Sequence, residues 1–200
     1  MTLIFQEMNL KIFSENLKID NYISLRRFHS VFSKRCKYHF GSNMIKPQLN
    51  WKEFNAKDVK SDDLVVMMKR YADMGMTLYI GSDSMLYNNF CIFSCIVAVH
   101  SNDLQIANYF FQKEKIFDEK YKSLESKIMK EIELSIEAAQ FFRDKIPDAD
   151  IEIHIDIGDT HKNATRHLVD GAKGWVKGMG FSVKIKPNSW ASSVADWHTK

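Results

Sequence analysis

Residues 151–158 read Ile-Glu-Ile-His-Ile-Asp-Ile-Gly, with an isoleucine at every second position, and no other stretch restricts the fold of this chain as strongly. β-Branched residues at period two suit a pleated strand; a helix would scatter the same four isoleucines around its circumference. One face of this strand is then wholly apolar, and the other carries Glu152, His154 and Asp156. A carboxylate at the end of such a strand is costly to bury unless something positive compensates it.

A second carboxylate occupies a comparable place. Leu78-Tyr79-Ile80-Gly81-Ser82-Asp83-Ser84 is an apolar strand that runs into Asp83. Around these two anchors the chain parses readily. Asn55–Val59 and Ser61-Asp62-Asp63 offer N-cap residues before a stripe of Leu64, Met67, Met68 and Tyr71, so a helix is expected that ends near Gly75. Met76–Asp83 reads as the first strand and Phe90–Val99 as the second, across the turn Tyr87-Asn88-Asn89-Phe90. Ile106–Lys115 follows Ser101-Asn102-Asp103 as the third, which makes an antiparallel meander. A long helix is expected from about Asp118 to Lys145, stopped by Pro147. Asp150–Gly158 is the fourth strand, and a helix over Lys162–Lys177 precedes Gly178-Met179-Gly180. Phe181–Lys186 is the fifth strand, and Ala191–His198 has room for one short helix. The order is βββαβαβα: an α/β fold with a mixed five-stranded sheet flanked by helices.

Composition narrows the setting. The chain has 200 residues, 45% hydrophobic and 26% charged, the proportions of an ordinary globular domain. No run approaches the length of a membrane-spanning helix, and the N-terminus lacks the pattern of a secretory signal. Cys36, Cys91 and Cys95 match neither a disulfide framework nor a zinc pattern. Cys91 and Cys95 sit inside an apolar strand, where free thiols pack well; a reducing compartment, the cytoplasm, is expected. Positive charge is concentrated in residues 1–50, with eight Lys/Arg against three Asp/Glu. That segment could approach phosphates, or simply be solvated. Residues 1–43 are expected to be a basic extension and 44–200 the domain. A helical arm, a poorly ordered extension and a functional start at Met44 remain open readings of the first segment. Oligomeric state is not readable.

The long helix offers Glu125, Glu131, Glu133 and Glu137. At about 100° per residue, Leu124, Ile128, Ser135, Ala139 and Phe142 share a stripe, and Glu131 projects inside it. Glu133 and Glu137 point away and Glu125 lies at the margin, so Glu131 is the glutamate that needs a partner. Each acid also has an ordinary reading: Asp83 in a turn, Asp156 in an ion pair, Asp196 on a solvated helix. Jointly, Asp83, Glu131, Asp156 and Asp196 offer hard oxygen ligands from four separate elements, which suits Mg²⁺ or Mn²⁺. Carboxylates that hold two such ions about 4 Å apart can activate water and stabilise a leaving oxygen in phosphodiester cleavage.

Residues 54–200 resemble the YkuK-type family of ribonuclease H-like proteins. The resemblance is carried by Tyr79-Ile80-Gly81-Ser82-Asp83-Ser84, Ile153–Gly158, Gly178-Met179-Gly180-Phe181, Lys186-Pro187 and Ala191-Ser192-Ser193-Val194-Ala195-Asp196. Ser82 and Met85 depart from the threonine and glutamine expected there. The resemblance implies a ribonuclease H fold and suggests metal-dependent cleavage of RNA, or of the RNA in an RNA–DNA hybrid, leaving a 3′-hydroxyl and a 5′-phosphate. It implies that Asp83 and Asp156 bridge or directly hold two metal ions, with Glu131 and Asp196 completing one site each. A non-catalytic nucleic-acid-binding or assembly module on the same fold is the alternative. An ATPase or phosphotransferase ranks last, for lack of a phosphate-binding loop. Secondary candidates are His161 and His198 as proton shuttles, set against surface histidines. Lys184 and Lys186 are candidate phosphate contacts, set against a solvated edge. Trp175, Trp190 and Trp197 could stack bases, although core packing is the safer reading for them. Ser82 and Ser84 lack the partners of a nucleophilic serine.

Overall fold

The computed structural model describes residues 50–158 and 165–200; the basic extension and His161 lie outside them. The described elements are β1 (Trp51–Glu53), β2 (Asp58–Val59), α1 (Ser61–Asp73), β3 (Leu78–Tyr87), β4 (Phe90–Ser101) and β5 (Ile106–Ile116). They continue with α2 (Leu124–Lys145), β6 (Ile151–Ile155), α3 (Val169–Gly178), β7 (Ser182–Ile185) and α4 (Trp190–Asp196). Short 3₁₀ turns at Glu119–Lys122 and Arg166–Leu168 lead into α2 and α3. All five expected strands are present. The sheet has seven, in the order β2-β1-β5-β4-β3-β6-β7, because two short strands add to the outside of β5. β3, β4 and β5 form the antiparallel meander; β6 and β7 join on the far side of β3, parallel to it.

Three expected boundaries move. The helix expected over Lys162–Lys177 is α-helical from Val169, and residues 162–164 lie outside the described ones. The long helix begins at Leu124, not near Asp118, because Ser123 caps it by accepting from the Ser126 N–H. Leu124 therefore sits in the first turn and is exposed, not on the buried stripe. β3 also does not end at Asp83: it runs on to Tyr87 and pairs with β4 as far as Phe90, which leaves Asp83 in mid-strand.

Side chains alternate across the sheet and sort the helices onto two sides. Even-numbered residues of β3 meet α2: Ser82 accepts a 2.9 Å hydrogen bond from Ser135, and Ser84 donates to Glu131. Ile80, Phe93, Val97, Ile132, Ala139, Phe142 and the four isoleucines of residues 151–157 join one apolar core on this side, together with Leu64 and Met68 of α1. Cys91 and Cys95 are free and buried within it. Odd-numbered residues of β3 meet α4, which crosses β3, β4 and β6 on the other side. No described helix is long and apolar enough to cross a membrane.

Candidate metal centre

The register of β3 against β6 brings two carboxylates together. Gly81 stands opposite His154; two residues further along each chain are Asp83 and Asp156, on the same face and on adjacent strands. β-Strand spacing puts such neighbours roughly 5 Å apart at Cα. Asp196 enters from the last turn of α4 on that face. Glu131 comes from α2, buried at 7% exposure, with its carboxylate held by the Ser84 hydroxyl. Of the four glutamates at issue, the others reach water: Glu125 pairs with His167 and Glu133 with Lys130, while Glu137 is partly exposed.

These carboxylates act on one another. Burial, then the charges of Asp196 and Asp156, push Asp83 up to about 7. Burial also pushes Glu131 up to about 8; the Ser84 hydrogen bond opposes the rise and the charges of Asp83 and Asp156 add to it. Desolvation combined with like charge is a signature of a place built for a cation or a proton. The outer acids already meet cations: Lys186 Nζ lies 2.9 Å from Asp156 and Lys200 Nζ 2.6 Å from Asp196. In this arrangement no three His, Cys, Asp or Glu side chains among the described residues are grouped closely enough to hold a metal ion. The donor set nevertheless fits a hard divalent cation, being all carboxylate and mutually repelling. The Ser94 hydroxyl, in register with Asp83 across β3 and β4, is also buried without a partner.

Three features hold α4 against the sheet so that Asp196 reaches this end. A Cβ on Gly81 would lie 2.5 Å from the Ser192 nitrogen and 2.7 Å from the Ala191 carbonyl carbon, so only glycine admits the helix here. The Ala191 N–H donates to His154 Nδ1 at 3.0 Å. That bond leaves the proton on Nε2, which donates to Glu152 at 3.1 Å. His154 is 1% exposed, and burial lowers its pKa, so the ring is a neutral connector. Tyr79 and Trp190 pack against the same ring at centroid distances of 5.4 and 5.3 Å.

With that end of the sheet described, the chain can be set beside known proteins. A family model described as "Ribonuclease H-like" matches residues 60–200. The chain belongs to the ribonuclease H-like family. Within the family it is similar to "Uncharacterized protein YkuK" of Bacillus subtilis (strain 168), 32% identical over 139 residues, which span 62% of this chain and 78% of that protein. The YkuK-type resemblance of the sequence is thus shown, and the mixed α/β sheet flanked by helices agrees with it.

Several residues of this ribonuclease H-like chain escaped the sequence reading or changed place. Glu152 and His154 were visible only as the polar face of a strand, yet both are buried beneath α4. The available signal was that two of the three polar residues alternating with isoleucine differ by two positions, enough to bond to each other along one face. Ser84, which lacks the partners of a nucleophile, orients Glu131 through its hydroxyl. His198 is half-buried against β5. It stacks on Phe111 at 3.7 Å with Nε2 buried and unpartnered, and burial holds it down to about 4. Lys186 meets Asp156, while Lys184 lies 3.9 Å from Glu152. Trp190 packs against Tyr79 and His154, and Trp175 packs against the core.

Proposed function

We propose that this protein is a divalent-metal-dependent nuclease that hydrolyses phosphodiester bonds in RNA or in an RNA–DNA hybrid, with two Mg²⁺ or Mn²⁺ ions as cofactors. The observation that carries the reading is the electrostatic convergence of Asp83, Glu131, Asp156 and Asp196 at one end of a ribonuclease H-like sheet. Asp83 and Asp156 would be shared between the two ions, with Glu131 and Asp196 completing one site each. When bound, the ions supply Lewis-acid polarisation of the phosphate and a water acidic enough to attack at neutral pH. The chain's own residues do the rest. Ser84 orients Glu131, and the Glu152–His154–Ala191 connection fixes the helix that carries Asp196. Lys186 and Lys200 neutralise Asp156 and Asp196 and must yield them when cations arrive. Two buried thiols suit a reducing compartment, the cytoplasm.

Purified protein in Mn²⁺ is expected to cut RNA or hybrid substrates. Chelator abolishes the activity, and folded Asp83→Asn and Asp156→Asn proteins are expected to lose at least a thousandfold in rate, on the order of 4 kcal/mol of barrier. Intact hybrids, single strands and structured RNA after prolonged incubation with Mn²⁺ would count decisively against hydrolysis. A second reading, a non-catalytic nucleic-acid-binding module, draws on the engagement of Asp156 and Asp196 by lysines. It predicts binding that neither metal nor the two Asp→Asn changes alter.

A further inference from the structure

α4 covers only part of its side of the sheet. Beyond Asp83 no described helix covers the antiparallel ladder, and its register places Met85, Ile92 and Lys115 in one row across β3, β4 and β5. Tyr87 and Phe90 form the next row, and Lys113 lies in the row of Asp83 itself. Alternation puts all six side chains on the face from which Asp83 projects. Tyr87 is 54% exposed and Met85 38%, while Phe90 and Ile92 are half-buried. The two rings lie 5.6 Å apart, and Lys115 holds its ammonium 3.4 Å over the Phe90 ring. Lys113 and Lys115 are exposed, and among the described residues neither enters an ion pair. Lys186 and Lys200, by contrast, are each engaged by a carboxylate.

The exposed Tyr87 ring and Met85 thioether, beside two ammonium groups that no described carboxylate engages, match the chemistry of an unpaired nucleic-acid strand. Bases stack on rings and apolar atoms regardless of sequence, and phosphates lie along the cations. A protein partner would use the apolar atoms but would need acids to meet the lysines. A duplex hides its base faces and could not use the rings. The distance from Asp83 to Tyr87, four residues along an extended strand, is roughly 13 Å, enough for a few nucleotides leading to the carboxylates.

We infer that the uncovered β3–β4–β5 ladder is a binding platform for single-stranded nucleic acid, delivering an unpaired strand to the acidic end of the sheet. The delivery rests on the nuclease reading; the binding does not, so it is tested without metal. The probe is a fluorescein-labelled oligo(dT) of about 12 nucleotides, titrated by anisotropy in EDTA beside a blunt oligo(dA)–oligo(dT) duplex of equal length. The single strand is expected to bind at least tenfold more tightly than the duplex. Tyr87→Ala weakens it by roughly tenfold, and Tyr87→Trp restores it, as stacking requires. Lys113→Gln with Lys115→Gln lowers the slope of log K against log salt by about 1.4, two phosphates' worth on a single strand. Matching melting temperatures exclude unfolding, since the substituted side chains are exposed. Equal binding of duplex and single strand, or an unchanged affinity in Tyr87→Ala, overturns the inference. So does a wild-type protein that binds neither probe but self-associates through Tyr87 in sedimentation, which would make the ladder a protein-docking face. Binding as expected with no cleavage in Mn²⁺ keeps the platform and removes the nuclease.

Discussion

On the α2 side of the sheet Ile80, Ile153 and Phe142 are fully buried among other hydrocarbon groups, while on the α4 side Glu152, His154 and Ser192 are almost as deeply buried and held by directed hydrogen bonds. The first arrangement is tolerant in direction and strong in sum. It supplies stability through area removed from water. The second adds little net stability per bond but penalises any displacement, because an unsatisfied buried polar group costs more than a satisfied one contributes. One side holds the sheet together; the other fixes where Asp196 stands relative to Asp83 and Asp156.

That division can be broken deliberately. The largest loss of stability is expected from Ile153→Ala, about 4 kcal/mol by denaturant unfolding, with the metal affinity of the folded fraction unchanged. Gly81→Ala comes next. The clash is with the backbone of Ala191 and Ser192, so α4 must shift at a cost of about 2 kcal/mol, and metal affinity measured by calorimetry should fall at least tenfold. Equal effects of the two variants on metal binding would erase the distinction between the sides. His154→Ala should cost about 2 kcal/mol by stranding the Ala191 N–H and the Glu152 carboxylate, again with weakened metal binding.

A pH series sharpens the same contrast. Asp83 and Glu131 are held near 7 and 8 in the folded protein, above the ordinary carboxyl range. A carboxyl raised by folding binds more protons in the native than in the unfolded state between the two pKa values, so stability falls as pH rises through that window. Metal-free protein should therefore be more stable near pH 5 than near pH 8. Asp83→Asn removes the penalty and should raise stability at pH 8 by up to about 4 kcal/mol, at about 1.4 kcal/mol per pKa unit, with a much smaller gain at pH 5. The two acids titrate as a coupled pair, so a double variant should gain less than the sum. The smallest stability effect is expected from Lys186→Met: no measurable change in melting temperature for an exposed ion pair, but tighter metal binding at low salt once Asp156 has lost its ammonium partner.

The sequence was most legible where a single period governed burial. Isoleucine at every second residue fixed β6, and helical phase singled out Glu131, because both patterns record contact with one continuous apolar layer. It was less legible where burial depends on a distant element. Glu152 and His154 look solvated until α4 covers them, and His198 looks superficial until Phe111 supplies a ring to stack on. β1 and β2 hold three and two residues, too few for a period, and are strands only because β5 offers an edge to β1 and β1 offers one to β2. Leu124 fitted the buried stripe by phase, yet the Ser123 cap places it in an outermost turn. Asp83 in mid-strand was hidden because the strand beyond it is exposed and reads as a loop. Order along the chain suggested that the four acids face one another, whereas the lysines on Asp156 and Asp196 required three-dimensional placement.

The pairing of Gly81 with His154 carries one more implication. If Asp83 and Asp156 share their ions, the gap between them is graduated by main-chain hydrogen bonds between β3 and β6, and side-chain choice has little say in it. Selection acting on sequence could then exchange much of the lining and retune substrate preference while the spacing across the scissile phosphate stayed constant. The sheet itself would be the ruler, and a one-residue slip of β6 would be the change to which such a site has no answer.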